Sequence, residues 1–168
     1  MGSATATKVQ SFTLDMGSGT HNFSSSATGA LYIFLTNTAP STLDFTLAVD
    51  TMKLVSSSAT GLSTGNGYTA LGGILITGSS WAQSGAIAKA IGAKVTWTGS
   101  TTVSSTGMGP FRYSVLYNNS GGSTTARPVI QYWDYGASVT LANTETFTVG
   151  NSNDGTDWTS TYPLFTSS

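Results

Sequence analysis

Apolar positions along the chain fall into short clusters, and most clusters alternate with the period of two that marks a strand with one buried face. In residues 43–49, Leu43, Phe45, Leu47 and Val49 alternate with Asp44, Thr46 and Ala48. In residues 94–98, Val95 and Trp97 point inward between Lys94, Thr96 and Thr98. In residues 111–117, Phe111, Tyr113, Val115 and Tyr117 oppose Arg112, Ser114 and Leu116. In residues 145–149, Phe147 and Val149 face inward. Two further runs are apolar and of strand length: residues 30–35, stopped by Asn37, Thr38 and Pro40, and residues 74–76, followed by Thr77, behind Gly72 and Gly73. Residues 128–135 are aromatic-rich on both faces. Val129, Gln131, Trp133 and Tyr135 share one, and Ile130, Tyr132 and Asp134 share the other. That makes a central strand, in which Pro128 is tolerable as the first residue. Leu164 and Phe165 close the last edge.

The separators carry turn chemistry. Asn66-Gly67, Asn118-Asn119, Gly121-Gly122 and Asn153-Asp154-Gly155 supply residues that accept positive φ. About ten polar, glycine-containing residues join the strands at 111–117 and 128–135, which predicts a hairpin with a long exposed tip. One stretch competes as a helix: residues 81–91, with Ala82, Ala86, Ile87, Ala88 and Ala90. Gly85 interrupts it and strong surface helix formers are few, so a strand or irregular connection is preferred over the helix. No fixed-period repeat is present. Short strands at steady spacing predict an all-β fold, an antiparallel β-sandwich or jelly-roll-like single domain over residues 9–168. Residues 1–8 are expected to form an N-terminal arm.

Composition narrows the class. The 168 residues suit one domain, and a core of that size needs no covalent staple. The chain has no cysteine, so disulfides and thiolate metal sites are out. Charged residues are 8% of the chain, against about 25% in an average soluble domain. Six basic and seven acidic residues leave a net charge of −1, without the basic footprint of a nucleic-acid binder. Serine and threonine make up about a third of the chain, so hydroxyls rather than ions solvate its surface. Hydrophobic residues at 39% set it apart from a disordered chain. So little charge gives little repulsion between copies, which suits a protein that works assembled. No apolar run reaches the ~18 residues of a membrane span. The N-terminus lacks the zones of a signal peptide, which fits assembly in a cytoplasm.

The residues that could carry chemistry each have a plainer use. His21 is the one histidine, and no Gly-x-Ser-x-Gly elbow accompanies it, so a turn or packing role is expected. Asp134 lies among Tyr132, Trp133 and Tyr135, as in a sugar-stacking surface with a catalytic acid. A carboxylate bonded to backbone or arginine is the expected reading. Asn151, Asn153, Asp154 and Asp157 offer hard oxygens around a turn. They lack an EF-hand's spacing and bidentate glutamate, so an Asx-turn is expected rather than calcium. The glycine clusters at 17–19 and 61–67 lack the Gly-Lys-Ser/Thr ending of a phosphate loop. Arg112 and Arg127 flank one hairpin and suit cation–π packing or salt bridging. No catalytic, cofactor-binding or metal-ligating residue is assigned.

Several segments in order carry a resemblance: Gly19-Thr20-His21-Asn22-Phe23, Gly67-Tyr68-Thr69 with Gly72-Gly73, Val95-Thr96-Trp97, Arg112-Tyr113-Ser114-Val115-Leu116-Tyr117, and Pro128-Val129-Ile130-Gln131-Tyr132-Trp133-Asp134-Tyr135-Gly136. This order, over roughly residues 15 to 150, resembles a family of small structural proteins of tailed bacteriophages encoded among the capsid genes. The chain departs from that pattern by a residue inserted at Ala70-Leu71, and by a Thr/Ser/Gly-rich first segment where the family often looks helical. The resemblance implies a non-enzymatic virion component, a capsid decoration or cement protein that binds and stabilises the assembled head. The implied partner is the major capsid protein, and the implied assembly is a homo-oligomer, with a trimer suiting the threefold positions of the shell. No nucleic acid or membrane partner is expected. A tail or fibre protein and a carbohydrate-binding module with Trp133 and Tyr135 as its platform are the rival readings.

Overall fold

The computed structural model describes residues 4–9, 12–18, 21, 31–39, 51–52, 62, 64–69, 73–84, 86–119, 127–151 and 153–167. Eleven strands and one short helix are described: β1 (Thr5–Lys8), α1 (Phe12–Gly17), β2 (Leu31–Thr36), β3 (Thr51–Met52), β4 (Ile74–Leu75), β5 (Ser80–Ser84), β6 (Ile87–Ile91), β7 (Val95–Thr98), β8 (Met108–Asn118), β9 (Arg127–Leu141), β10 (Thr146–Val149) and β11 (Phe165–Ser167). Every pairing is antiparallel, so the fold is all-β. The main sheet runs β1-β9-β8-β2-β4, with β3 also on β9. A two-stranded sheet, β10-β7, and a three-stranded sheet, β11-β6-β5, complete it.

The order of the main sheet follows from its sequence. The central strands β2, β8 and β9 hold the longest apolar runs, because both of their faces are covered. Ile33, Leu35, Val115, Leu116, Val129 and Ile130 are all buried, whichever face they take. The smaller sheets supply the cover. Phe147 of β10 meets Phe111 of β8 and Tyr135 of β9, at 4.8 and 4.9 Å between ring centroids. Phe165 of β11 meets Phe12 of α1 and Trp81 of β5, at 5.3 and 5.4 Å. Edge and tilted ring pairs of this kind add to the area they bury.

Several expectations are refined or corrected. Over residues 81–91 the competing helix does not form and the strand reading holds: Trp81 pairs with Ala90 and Ser84 with Ile87. Pairing β6 with β11 outweighs the alanines' helix propensity. Within the segment expected as an arm, 1–8, Thr5–Lys8 pairs with Gln131 to Asp134 on β9. The even alternation expected along 128–135 is broken. Leu116 pairs with Gln131 but Tyr117 pairs with Val129, so a bulge at Ile130 turns Val129 and Gln131 to opposite faces. Pro128 is the second residue of β9 and lies opposite Thr51. The short helix α1 is an element the alternation did not predict. The strand expected at 43–49 and most of the hairpin tip, 120–126, lie outside the described residues.

Candidate functional site

Asp134 is engaged by arginine. Arg112 Nε donates to its Oδ1 at 2.7 Å and Nη2 to its Oδ2 at 2.9 Å, while the Gly136 amide donates to Oδ1 at 2.7 Å. The Arg112 guanidinium and then the Gly136 amide hold this carboxyl below the usual range, and the same bond raises the arginine. Asp134 therefore stays ionised as an acceptor, the opposite of what a proton-donating glycosidase acid needs. Arg112 also lies over the Tyr113 ring, 5.2 Å from its centroid. The aromatic stripe beside it is not an open platform. Trp133 is 9% exposed, and the half-buried Tyr135 packs on Phe147 with its hydroxyl 3.3 Å from Ser114 Oγ.

The 151–157 segment is the Asx-type turn expected of it, built around the buried Asn151. Its Oδ1 accepts from the amides of Asn153 (2.9 Å) and Asp154 (3.2 Å). Its Nδ2 donates to Asp154 Oδ1, Thr156 Oγ1 and the Asp157 carbonyl, at 3.0, 2.7 and 3.0 Å. Asp154 Oδ1 also accepts from the Thr156 amide and hydroxyl. These bonds, the Thr156 hydroxyl first, hold the Asp154 carboxyl below its usual range. Asp157 instead caps the Lys94 amide at 2.9 Å. Among the described residues no three His, Asp or Glu side chains gather as a metal site would need.

His21 is buried, with no exposed side-chain surface, under the tilted ring of Phe12 at 5.4 Å. Its Nε2 stands 3.9 Å from Asp15 Oδ2, and its Nδ1 lies 3.4 Å from Asn118 Nδ2. Burial lowers its pKa from 6.5 to about 4, against the opposing pull of Asp15. The ring tethers α1 to the end of β8, the packing role expected of it.

Among the described residues, one cleft of about 460 Å³ lies between the end of β2, the 103–107 loop and the start of β8, and its described lining residues include no ionisable group and no aromatic ring. Asn66 braces that loop. Its Oδ1 accepts from the Val103 and Ser104 amides, and its Nδ2 donates to the Gly107 carbonyl at 2.7 Å. A second cleft, of about 440 Å³, is bounded by β1, the Trp133 face of β9 and the turn built on Asn151. Trp158, which forms a bridge with Gly92, also lines it. Sequence reasoning missed both Asn66's brace and Trp158, whose partners are far away in the chain. Exposed apolar side chains are scattered: Leu14 on α1, Val103 beside the first cleft, Ile87 and Tyr162.

No family model, curated protein or solved structure matches the chain. Among the described residues, no helix is long and apolar enough to cross a membrane.

Proposed function

We propose that the chain is a non-enzymatic bacteriophage virion protein, a decoration or cement protein of the capsid. In this reading it has a sandwich-like or jelly-roll-like body, forms a homo-oligomer, with a trimer favoured at the threefold positions, and binds the major capsid protein on the outer surface of the assembled head.

The observation that carries this reading is a sheet edge on a body with scarcely any charge. Among the described residues β1 is the outermost strand on one side of the main sheet, and Ala6, Thr7 and Lys8 are exposed along it. An edge strand offers main-chain donors and acceptors to a neighbouring chain. Net charge of −1 leaves little repulsion between the many copies that a shell packs together. A cement protein acts by mass action, binding the assembled shell in preference to its separated parts. It needs area and apolar anchors, not titratable groups. Three of the phage-type segments, residues 95–97, 112–117 and 128–136, fall on β7, β8 and β9.

The test is co-sedimentation of the purified chain with emptied, undecorated heads, scored by saturation and by the temperature at which the shell disrupts. Saturable binding with a raised disruption temperature is expected. Absence of binding to heads, with the protein in tail fractions, overturns the reading in favour of a tail or fibre part.

A further inference from the structure

We propose that the cleft between β1, β9 and the Asn151 turn is a binding site for a neutral saccharide. The cleft exists because β1 places small residues there. Ala6 pairs with Trp133, so its side chain takes the same face of the sheet, and Ala4 lines the cleft beside it. Larger residues at these positions would occupy the space. At about 440 Å³ it falls within the roughly 300–1,000 Å³ of small-molecule clefts.

Its lining selects the ligand. The half-buried Tyr135, with the edges of the buried Trp133 and Trp158, gives the lining a narrow aromatic strip rather than an open platform, against which C–H groups of a sugar ring can pack. Gln131 is buried in the wall. Its Nε2 donates to the Leu164 carbonyl at 3.0 Å, which leaves its carbonyl oxygen as an acceptor. Asn153 and Asp154 stand exposed at the rim, and the bonds that hold the turn fall on Asp154 Oδ1. The five bonds of Asn151 fix this rim before any ligand arrives, which reduces the ordering cost of binding.

Among the described lining residues, Asp154 is the one ionised group. Phosphorylated or acidic ligands meet a like charge and no cation. A wholly apolar ligand would strip water from Gln131, Asn153 and Asp154 without replacing their hydrogen bonds. An uncharged molecule with one C–H-rich face and several hydroxyls meets both demands. The inference does not rest on the shell reading: a head or a tail protein could carry this site.

The test uses the full chain in saturation-transfer NMR and calorimetry against methyl glucoside, methyl galactoside, N-acetylglucosamine and their disaccharides, with sialyllactose and glucose 1-phosphate as charged controls. At least one neutral sugar is expected to bind with a Kd of roughly 1 mM or tighter. Ala6→Leu, which fills the cleft, and Asn153→Ala, which removes a rim amide, are each expected to weaken that binding about tenfold or more at unchanged Tm. Ala6 and Asn153 are both exposed, so neither change disturbs the core. Should Ala6→Leu lower Tm, Asn153→Ala carries the decision. The proposal is overturned if no neutral sugar binds at ten times that concentration, if the charged controls bind better, or if the variants bind like the parent. The last two outcomes would point to a different ligand, such as an extended peptide on the β1 edge.

Discussion

His21 couples the stability of the fold to pH. Its side chain is buried, and burial lowers its pKa from 6.5 to about 4. Above pH 6.5 the ring is neutral in both folded and unfolded chains, and its contribution is fully present. As pH falls from 6.5 towards 4 the unfolded chain takes up a proton that the folded chain refuses. Stability is then lost across that window, by about 3 kcal/mol in all. The lowered carboxyls of Asp134 and Asp154 work in a separate window. Each favours the fold above the ordinary carboxylate pKa, and that support is lost as pH falls below it. Urea unfolding at pH 7.5, 5.5 and 4.5 is expected to show a steady fall that a His21→Gln variant flattens. An unchanged slope in the variant would assign the pH dependence elsewhere.

Among the elements, the turn at residues 65–68 shows how far local sequence reaches. Gly65 and Tyr68 exchange both backbone hydrogen bonds, each at 2.9 Å, around Asn66 (φ 51°) and Gly67 (φ 92°). Two positive φ values in a two-residue loop are what Asn-Gly favours. A Cβ on Gly67 would also run into the Thr98 carbonyl oxygen. Gly67→Ala is therefore expected to cost about 2–3 kcal/mol, more than a relaxed Gly→Ala exchange. A melting temperature within a degree of the parent would contradict this. That turn was legible because Asn-Gly encodes it alone, and β7, with Val95 and Trp97 buried between exposed Thr96 and Thr98, was legible from its alternation. The hairpin at 80–91 was not, because alanine fits helix and strand alike and the deciding partner, β11, lies some 75 residues on. The face taken by Gln131 was hidden for a related reason: the bulge at Ile130 is set by pairing with β8, not by any turn residue of its own. The sugar cleft was half visible. Its aromatic stripe stood in the sequence, whereas the alanines that open it and Trp158 that walls it came together through β1 and the Gly92 bridge.

Across the whole molecule, scarcity of charge is the property that bears most on how it would hold a shell. Charged residues are 8% of the chain, and one ion pair, Arg112 with Asp134, already ties up one charge of each sign within the described sheet. Lys8 and Lys89 donate to the main-chain carbonyls of Thr166 and Ser160 and keep their charge. With six basic and seven acidic residues in all, few charges are available for ionic contact with a partner. On the proposed function, attachment to heads would come from buried apolar area, main-chain pairing along β1 and hydroxyl hydrogen bonds. Salt screens ionic attraction strongly and these contacts weakly. Co-sedimentation with heads at 50 and 500 mM NaCl is accordingly expected to give affinities within about threefold of each other. A tenfold or greater loss at high salt would mean that the few remaining charges dominate the contact. In that case the contact surface would lie near Lys94, Arg127 or the acidic turn at Asp154 and Asp157, and not along the uncharged stretch of β1.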